Sequence, residues 1–181
     1  MLDNYVVLVD RDGTLIHHRH HLKDPDLVRL LPTASRSIRQ LNSLGAAVVI
    51  ATNQSVIGHG IATAEEVRAV NARIIELLRT EDAKVDGIFI CPHREGDHCR
   101  CRKPETHGIT RYLSTRGLAE RSGVVIGDNV TDMVFANRLN FHGIHVATGV
   151  NSWQEVAASG AAAQRSLRMA DAVEWIVASL T

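Results

Sequence analysis

Short apolar runs recur along the chain at intervals that predict alternating strands and helices. The runs are rich in valine and isoleucine and lack polar alternation, which is typical of strands buried on both faces of a sheet. They cover residues 5–9, 46–51, 86–91, 123–127 and 142–147. Amphipathic segments predict helices over residues 33–44, 64–79, 106–118, 131–139 and 171–180. The alternation predicts an α/β fold of three layers, in which a central parallel sheet carries helices on both faces.

The composition favours a single domain that spans residues 1–181. Hydrophobic residues make up 45% of the chain and charged residues 22%, which are ordinary values for a globular protein. The formal net charge is zero and only 4% of residues are aromatic, so neither a nucleic acid nor an anionic membrane is an expected partner. No apolar stretch approaches the roughly 20 residues of a membrane-spanning helix. With no room for a signal peptide before the first strand, we expect a cytoplasmic location, and without a heptad seam we expect a monomer.

Two aspartates follow the first predicted strand. Asp10 and Asp12 are separated by one residue, so at a strand end their carboxylates would point the same way. This concentration of negative charge is stabilised when a hard cation such as Mg²⁺ lies between the oxygens. A carboxylate can also attack an electrophile or transfer a proton, which makes the pair a candidate catalytic centre. Taken alone, the pair is explained equally well by an acidic turn without a function.

Three further polar motifs follow predicted strands, where a parallel sheet places active groups. The hydroxyl and amide side chains at 52–55 can donate hydrogen bonds to a phosphoryl group. Arg102 and Lys103 combine a planar guanidinium with a point charge, a pair suited to phosphate. Asp128 would supply another carboxylate for Mg²⁺, whereas Asp132 would fix the loop or cap the next helix. Each motif alone is typical of an ordinary turn, but their succession at strand ends predicts one phosphate-binding cluster.

All three cysteines of the chain lie between residues 91 and 101. An odd, clustered set does not form a disulfide framework and indicates a metal site instead. The ligand pairs are Cys91 with His93 and Cys99 with Cys101. Three thiolates and one imidazole make a closed tetrahedral Zn²⁺ site of the structural kind, with His98 as the alternative imidazole. Because this zinc loop ends at the cationic motif, bound zinc would fix the position of those cations and stabilise the loop.

With these motifs in order, the chain resembles the phosphatases of the haloacid dehalogenase (HAD) superfamily. The resemblance covers roughly residues 5–150 and implies a Rossmann-like fold with a minimal cap. It implies that Asp10 is a nucleophile that forms a phosphoaspartate, while Asp12 protonates the leaving alkoxide and later activates water. Thr52 would bind the phosphoryl oxygens, and Lys103 would neutralise their charge. Mg²⁺ would be held by Asp10, Asp128 and the backbone carbonyl of Asp12.

The resemblance also assigns groups around this centre. Arg102 joins the catalytic residues, and the expected substrate-binding residues are His18, Arg19, His20, His21, Thr52, Asn53, Gln54, Ser55, Arg102, Lys103 and Asn129. The histidine run occupies the position of the substrate-specificity loop of the family. Imidazoles and Arg19 could bind sugar hydroxyls or a second phosphate. A second metal site and a merely solvated loop are the alternatives for this run.

Within the superfamily, the zinc loop followed by Arg-Lys-Pro resembles a small group with almost no cap. That group contains D-glycero-D-manno-heptose-1,7-bisphosphate 7-phosphatases and histidinol-phosphate phosphatases. The segment from Asp12 to the first helix favours the heptose enzymes, so we expect a small phosphorylated metabolite, a heptose bisphosphate, as the substrate. Histidinol phosphate, or another sugar or polyol phosphate, is the alternative. Departures from the family pattern at Ile16, Val56 and Glu105 leave the catalytic residues intact but bear on specificity.

Two other classes of function are weighed against this one. A zinc-bearing interaction module without activity would have lost one of the catalytic aspartates or the lysine, and all of them are present. A phosphatase that processes nucleic-acid ends would share the chemistry. The neutral charge and the low aromatic content argue against it.

Overall fold

A six-stranded parallel sheet forms the centre of the protein. In a computed structural model that describes residues 1–181, the strands are β1 Tyr5–Val9, β2 Ala47–Asn53, β3 Gly87–Cys91, β4 Ser122–Gly127, β5 His142–Val146 and β6 Gln164–Ser166. Their order in the sheet is β3-β2-β1-β4-β5-β6, and every neighbouring pair is parallel. The strand order reverses at β1: the chain continues to β2 and β3 on one side of β1 and then to β4, β5 and β6 on the other. In open α/β sheets such a point is where ligands bind.

Seven α-helices cover the two faces of this sheet. They are α1 Ala34–Ser43, α2 Ser55–Gly58, α3 Ala64–Arg79, α4 His107–Ser114, α5 Val130–Arg138, α6 Trp153–Ala158 and α7 Met169–Leu180. Successive side chains of β1 alternate between the faces: Val7 and Val9 join a core formed with α1, α3 and α7. Val6 and Leu8 join a second core formed with α4 and α5. The predicted three-layer α/β sandwich is therefore confirmed, with a sheet whose inner strands are buried on both faces.

Element boundaries follow local chemistry. The capping box at the start of α3 has both of its hydrogen bonds, from the Glu66 amide to Thr63 Oγ1 and from the Thr63 amide to the Glu66 carboxylate. The helix predicted at 106–118 ends early, at Ser114, because Gly117 adopts a positive φ of 67° that an α-helix does not contain. The polar strand β6 and the short helices α2 and α6 were not predicted, since their few residues carry no apolar period.

The carboxyl edge of the sheet is left open above β1. Between β1 and α1, residues 10–33 contain a 3₁₀ turn at Pro25–Leu27 and two isolated β-bridges but no α-helix or strand, so no folded cap domain lies there. The segment between β3 and α4 carries the zinc loop and a second 3₁₀ turn at Glu95–Asp97. No helix in the structure combines the length and the apolar character needed to cross a membrane.

Candidate active site

A polar cleft of about 750 Å³ opens at the carboxyl ends of β1, β2 and β4. Because these three strands are neighbours, the groups that follow them meet at one edge of the sheet. The cleft is lined by Asp10, Asp12, His18, Thr52, Asn53, Glu95, His98, Cys99, Arg100, Arg102, Lys103, Pro104, Glu105, Asp128, Asn129, Thr131, Asp132 and Val150. The four motifs predicted to form one cluster therefore do lie together.

The ammonium group of Lys103 lies at the floor of the cleft, and its side chain is only 5% exposed. Nζ donates to Asp10 Oδ1 at 2.5 Å, to Asp132 Oδ1 at 2.6 Å and to the backbone carbonyl of Ala51 at 2.7 Å. Three acceptors match the three hydrogens of an ammonium group. The two buried carboxylates raise the pKa of Lys103, outweighing the opposing effect of burial, so the group is a permanent cation.

The three carboxylates around this lysine carry more negative charge than it can balance. Burial raises the pKa of Asp10 to about 7, against the lowering effect of Lys103. Burial, and the neighbouring Asp10 carboxylate, raise the pKa of Asp128 to about 6. Burial likewise raises the pKa of Asp132. Ionisation of the whole cluster at neutral pH therefore calls for a further positive charge.

The arrangement fits a hard divalent cation. Asp10, Asp128 and Asp132 each place a carboxylate oxygen within 4.8 Å of the others. Both oxygens of Asp132 are already engaged, one by Lys103 and the other by the amide of Asn129 at 3.1 Å. Lys103 engages one oxygen of Asp10, and Oδ1 of Asp128 accepts only a long hydrogen bond, 3.4 Å, from Thr14. These two carboxylates are thus best placed to hold Mg²⁺, whose preferred ligands are oxygens. Asp132 performs the role expected from the sequence, since it caps α5 while it also binds the lysine.

Backbone approaches Asp128 very closely on the far side of the cleft. The amide of Val150 donates to Asp128 Oδ2 at 2.6 Å. A Cβ atom at Gly149 would lie only 1.9 Å from the same oxygen, so no larger residue fits at this position without a shift. Thr148 Oγ1 also donates to the carbonyl of Gly13 at 2.6 Å. Residues 148–150 therefore fix the Asp128 carboxylate against the turn that follows Asp10.

The polar residues after β2 have different surroundings from one another. Thr52 and Asn53 line the cleft, whereas Gln54 and Ser55 do not. Gln54 is buried, and its Nε2 donates to Thr52 Oγ1 at 2.8 Å. Asn53 makes two hydrogen bonds with the backbone of Lys103. Its Oδ1 accepts from the Lys103 amide at 3.0 Å, and its Nδ2 donates to the Lys103 carbonyl at 3.1 Å. The second motif thus places Thr52 and Asn53 at the cleft, while Asn53 also fixes the backbone of Lys103 and Gln54 orients Thr52 from behind.

Asp12 lies at the rim of the metal cluster rather than within it. Its carboxylate accepts hydrogen bonds from Arg11, at 2.9 Å and 3.1 Å, and from Gln54 at 2.9 Å. Its side chain is 18% exposed and lines the cleft. This position suits a group that exchanges protons with a substrate, while Asp10 faces the lysine.

The four predicted zinc ligands converge to one point. The Sγ atoms of Cys91, Cys99 and Cys101 are 3.3 to 3.7 Å apart, and His93 Nδ1 is 3.6 Å from Cys91 and 3.1 Å from Cys101. A tetrahedron with Zn–S bonds of 2.3 Å has edges of about 3.8 Å, so the cluster needs little adjustment to hold Zn²⁺. His98 is not part of the cluster and lines the cleft instead.

The histidine run is divided by the fold. His18 lines the cleft, but Arg19, His20 and His21 do not. All four residues are exposed, and the rings of His20 and His21 stack with centroids 3.7 Å apart. Only His18 is thus placed to contact a molecule in the cleft.

Several residues at the site were not found from the sequence: Glu95, Arg100, Thr131 and Val150 line the cleft, and a buried pair lies behind Asp12. Arg11 is buried at 1% exposure and Asn71 of α3 at 4%, and they contact each other behind Asp12. Arg11 could have been noticed as a charged residue between the two aspartates of the first motif. Asn71 gives no such indication, because a single amide on a helix is usually a surface residue.

Comparison with known proteins finds sequence relatives and a structural neighbour that cover most of this chain. Residues 100–174 match the model of a HAD-hydrolase-like family. The histidine biosynthesis bifunctional protein HisB of Legionella pneumophila (strain Lens) is 30% identical over 85% of this chain and 44% of its own length. HisB of Blochmanniella floridana is 29% identical over 86% of this chain and 44% of its own length. The chain therefore spans less than half of the length of these curated relatives.

A solved structure is similar over nearly the whole of both chains. The crystal structure of D,D-heptose 1,7-bisphosphate phosphatase from B. bronchiseptica, complexed with magnesium and phosphate, superimposes with a TM-score of 0.85. It is 25% identical in sequence and covers 96% of this chain and 98% of its own. The two folds are thus alike along nearly the whole of both chains.

Proposed function

The chain belongs to the haloacid dehalogenase superfamily, and on that premise we propose that it is a Mg²⁺-dependent phosphatase with Asp10 as its nucleophile. One observation carries the proposal: Asp10 meets Lys103 at 2.5 Å at the floor of a polar cleft, beside Asp128 and across from Thr52. Carboxylate attack on a phosphate dianion requires positive charge around both reactants, and this arrangement supplies a place for it.

The proposed first step transfers the phosphoryl group to Asp10. A carboxylate oxygen of Asp10 forms a bond to phosphorus while the bond from phosphorus to the alcohol oxygen breaks. Asp12, in its protonated form, donates its proton to the departing alkoxide. Lys103 balances the charge that the two anions bring together. Mg²⁺, held by Asp10, Asp128 and the backbone carbonyl of Asp12, would add Lewis-acid stabilisation of the phosphoryl oxygens.

The proposed second step returns the enzyme to its starting form. Asp12, now a carboxylate, accepts a proton from a water molecule whose oxygen attacks the phosphorus. The bond between phosphorus and Asp10 breaks, and inorganic phosphate leaves. Thr52 binds the phosphoryl group in both steps: its oxygen accepts from Gln54, so its own hydrogen is free to be donated towards the cleft.

For the substrate we propose a small sugar bisphosphate, D-glycero-D-manno-heptose 1,7-bisphosphate, that loses its C7 phosphate. Arg100 and Arg102 line the cleft beyond Lys103 and could bind a second phosphate through their guanidinium groups. His18 and Asn129 lie at the same cleft and could contact sugar hydroxyls. The similarity along both chains to a heptose bisphosphate phosphatase supports this choice.

Histidinol phosphate is the second candidate substrate. The curated relatives that match the chain are histidine-biosynthesis proteins, although they are about twice its length. Glu95 and Glu105 also line the cleft, and a carboxylate there could pair with a cationic amine of a substrate. Glu105 is already paired with Arg138 at 2.5 Å, which leaves Glu95 as the stronger candidate for this contact.

The zinc loop has a supporting role in this proposal. Zn²⁺ bound by Cys91, His93, Cys99 and Cys101 would hold the segment that leads directly into Arg102 and Lys103. Because such a site has no open coordination position, it contributes structure and not chemistry. A monomer in the cytoplasm that acts on a small metabolite is the setting we propose.

The experiment is phosphate release by the purified protein in the presence of Mg²⁺. Both anomers of the heptose 1,7-bisphosphate are compared with histidinol phosphate, and Asp10→Asn serves as the inactive control. We expect the highest kcat/KM for a heptose bisphosphate and no release by the variant. A preference for histidinol phosphate would keep the mechanism and overturn the substrate. If no phosphate were released from these substrates or from a wider set of phosphate esters, the proposed activity would be refuted.

A further inference from the structure

Arg11, between the two aspartates of the first motif, points into the protein and not into the cleft. It is 1% exposed and does not line the cleft. Its guanidinium donates four hydrogen bonds: Nε to Asp12 Oδ2 at 2.9 Å, Nη2 to Asp12 Oδ1 at 3.1 Å and to Gln54 Oε1 at 2.9 Å, and Nη1 to Asn71 Oδ1 at 3.0 Å. A buried charge held this completely is a costly feature that stability alone does not require.

These bonds restrict the Asp12 carboxylate to one orientation. The planar guanidinium donates to both oxygens of the Asp12 carboxylate at once, a geometry that a lysine cannot reproduce. Gln54 adds a third bond, from Nε2 to Asp12 Oδ2 at 2.9 Å. The same Gln54 nitrogen is 2.8 Å from Thr52 Oγ1, so the network also sets the orientation of the phosphate-binding hydroxyl.

Asn71 anchors the far side of the guanidinium from α3. Its Oδ1 accepts from Arg11, but its own amide nitrogen is buried without a hydrogen-bond partner. A buried amide with an unmade hydrogen bond is destabilising, so the bond to Arg11 is the contact that accounts for an asparagine here. The network therefore links a helix of the first core layer to a carboxyl group of the cleft.

We propose that Arg11, held in place by Asn71, is a positioning residue that aims the Asp12 carboxyl at the leaving-group oxygen. This inference rests on the proposed function, in which Asp12 is the proton donor and acceptor. It makes a specific claim about chemistry. If Asp12 is no longer correctly oriented, phosphoryl transfer should slow when the leaving group must be protonated. The rate should change little when the leaving group departs as a stable anion.

The test measures single-turnover phosphoryl transfer with Mg²⁺ from an alkyl phosphate, the preferred sugar phosphate, and from p-nitrophenyl phosphate. The variants are Arg11→Lys, Asn71→Leu and Asn71→Asp, which retains an acceptor for Arg11. Arg73→Lys is the matched control. This arginine lies on α3, as Asn71 does, is partly exposed and pairs only with Glu76, at 2.7 Å. Thermal unfolding of each variant identifies any that fails to fold.

General acid–base catalysis contributes about 100- to 10,000-fold, and a misplaced Asp12 should lose part of that. We therefore expect Arg11→Lys and Asn71→Leu to slow transfer from the alkyl phosphate about 10- to 100-fold and transfer from the aryl phosphate less than about 3-fold. Asn71→Asp should recover most of the alkyl rate, and Arg73→Lys should match the wild type. Equal losses on both esters would mean that the arginine supports the nucleophile or the fold, and would overturn the proposal. Unchanged rates on both would overturn it as well.

A readout that does not depend on activity separates this proposal from the proposed function. If wild-type protein hydrolyses no phosphate ester, the proposed function fails. Crystal structures of Arg11→Lys and Asn71→Leu then still decide whether Arg11 positions Asp12. We expect the Asp12 carboxyl to leave its wild-type rotamer in both variants, and an unchanged rotamer would contradict the positioning role.

Discussion

Replacing Lys103 with methionine removes the positive charge from a buried cluster of carboxylates while keeping a side chain of similar length. The ammonium group contacts Asp10, Asp132 and the carbonyl of Ala51, all within 2.7 Å. Its loss leaves two buried carboxylates without their counter-ion and one carbonyl without a donor. Breaking a buried ion pair from one side costs about 3 to 5 kcal/mol, and an unmade hydrogen bond to a buried group costs about 1 to 3 kcal/mol. Because these costs overlap, we expect a loss of about 3 to 5 kcal/mol at pH 7.5.

The loss should depend on pH in a definite direction. The pKa of Asp10 is already raised from 3.8 to about 7 with the lysine present, and removal of the lysine raises it further. A carboxyl group whose pKa is higher in the folded state destabilises the protein progressively as pH rises above its unfolded value. The stability difference between variant and wild type should therefore be larger at pH 7.5 than at pH 5, because wild-type Asp10 loses its proton above about pH 7 whereas the variant keeps it.

Urea unfolding in magnesium-free buffer at pH 5 and pH 7.5 measures the loss of unfolding free energy and its dependence on pH. Lys84→Met is the matched control, because the Lys84 side chain is 76% exposed and its pair with Asp86 lies at the surface. Such a pair contributes about 0 to 1 kcal/mol. If Lys103→Met at pH 7.5 were as stable as this control, or lost equal stability at both pH values, the reasoning about the buried cluster would be refuted.

Three further predictions concern the metals and the loop behind Asp128. Mg²⁺ affinity, measured by titration calorimetry, should rise between pH 5.5 and 7.5. Asp10 and Asp128, with pKa values of about 7 and 6, must lose their protons to bind the metal, so an affinity that does not change with pH would contradict this prediction. Gly149→Ala should weaken Mg²⁺ binding at least about 10-fold, because the new Cβ meets Asp128 Oδ2 and changing a group that orients a metal ligand has effects of this size. Gly160→Ala is the control for general destabilisation, because its Cβ meets no atom near the site while its φ of 72° strains an alanine; this variant should keep wild-type Mg²⁺ affinity. Elemental analysis should find one zinc per chain in the wild type and little in Cys101→Ser, and zinc retained by that variant would rule out the proposed ligand set.

The strands and the carboxylates of the cleft could be predicted from the sequence because each depends on a local pattern. An unbroken apolar run followed by an acidic residue places that residue at the edge of a parallel sheet, as at Val9 and Asp10. The cluster of three cysteines and one histidine could be predicted equally well, since these residues at close spacing have few other uses than metal binding. The capping box at Thr63 fixed the start of α3 for the same reason.

Other parts of the site depend on contacts between residues far apart in the chain. The pair of Arg11 and Asn71 joins residues separated by 60 positions, and no local pattern relates them. Gln54 was expected to contact substrate, but the fold turns its amide towards Thr52 and Asp12. The separation of His18 from the rest of its run likewise follows from the path of the loop over the cleft and not from composition.

The central claim is that phosphate is carried by Asp10 during turnover. Acid quenching during the reaction with Mg²⁺ and substrate, followed by borohydride reduction, converts an aspartyl phosphate to homoserine. Trypsin cleaves after Arg11 and so delivers Asp10 and Asp12 on separate peptides for mass spectrometry. The account predicts homoserine in place of Asp10, none in place of Asp12, and neither without substrate. Reduction at Asp12, or unreduced Asp10 in a protein that is turning over, would contradict it.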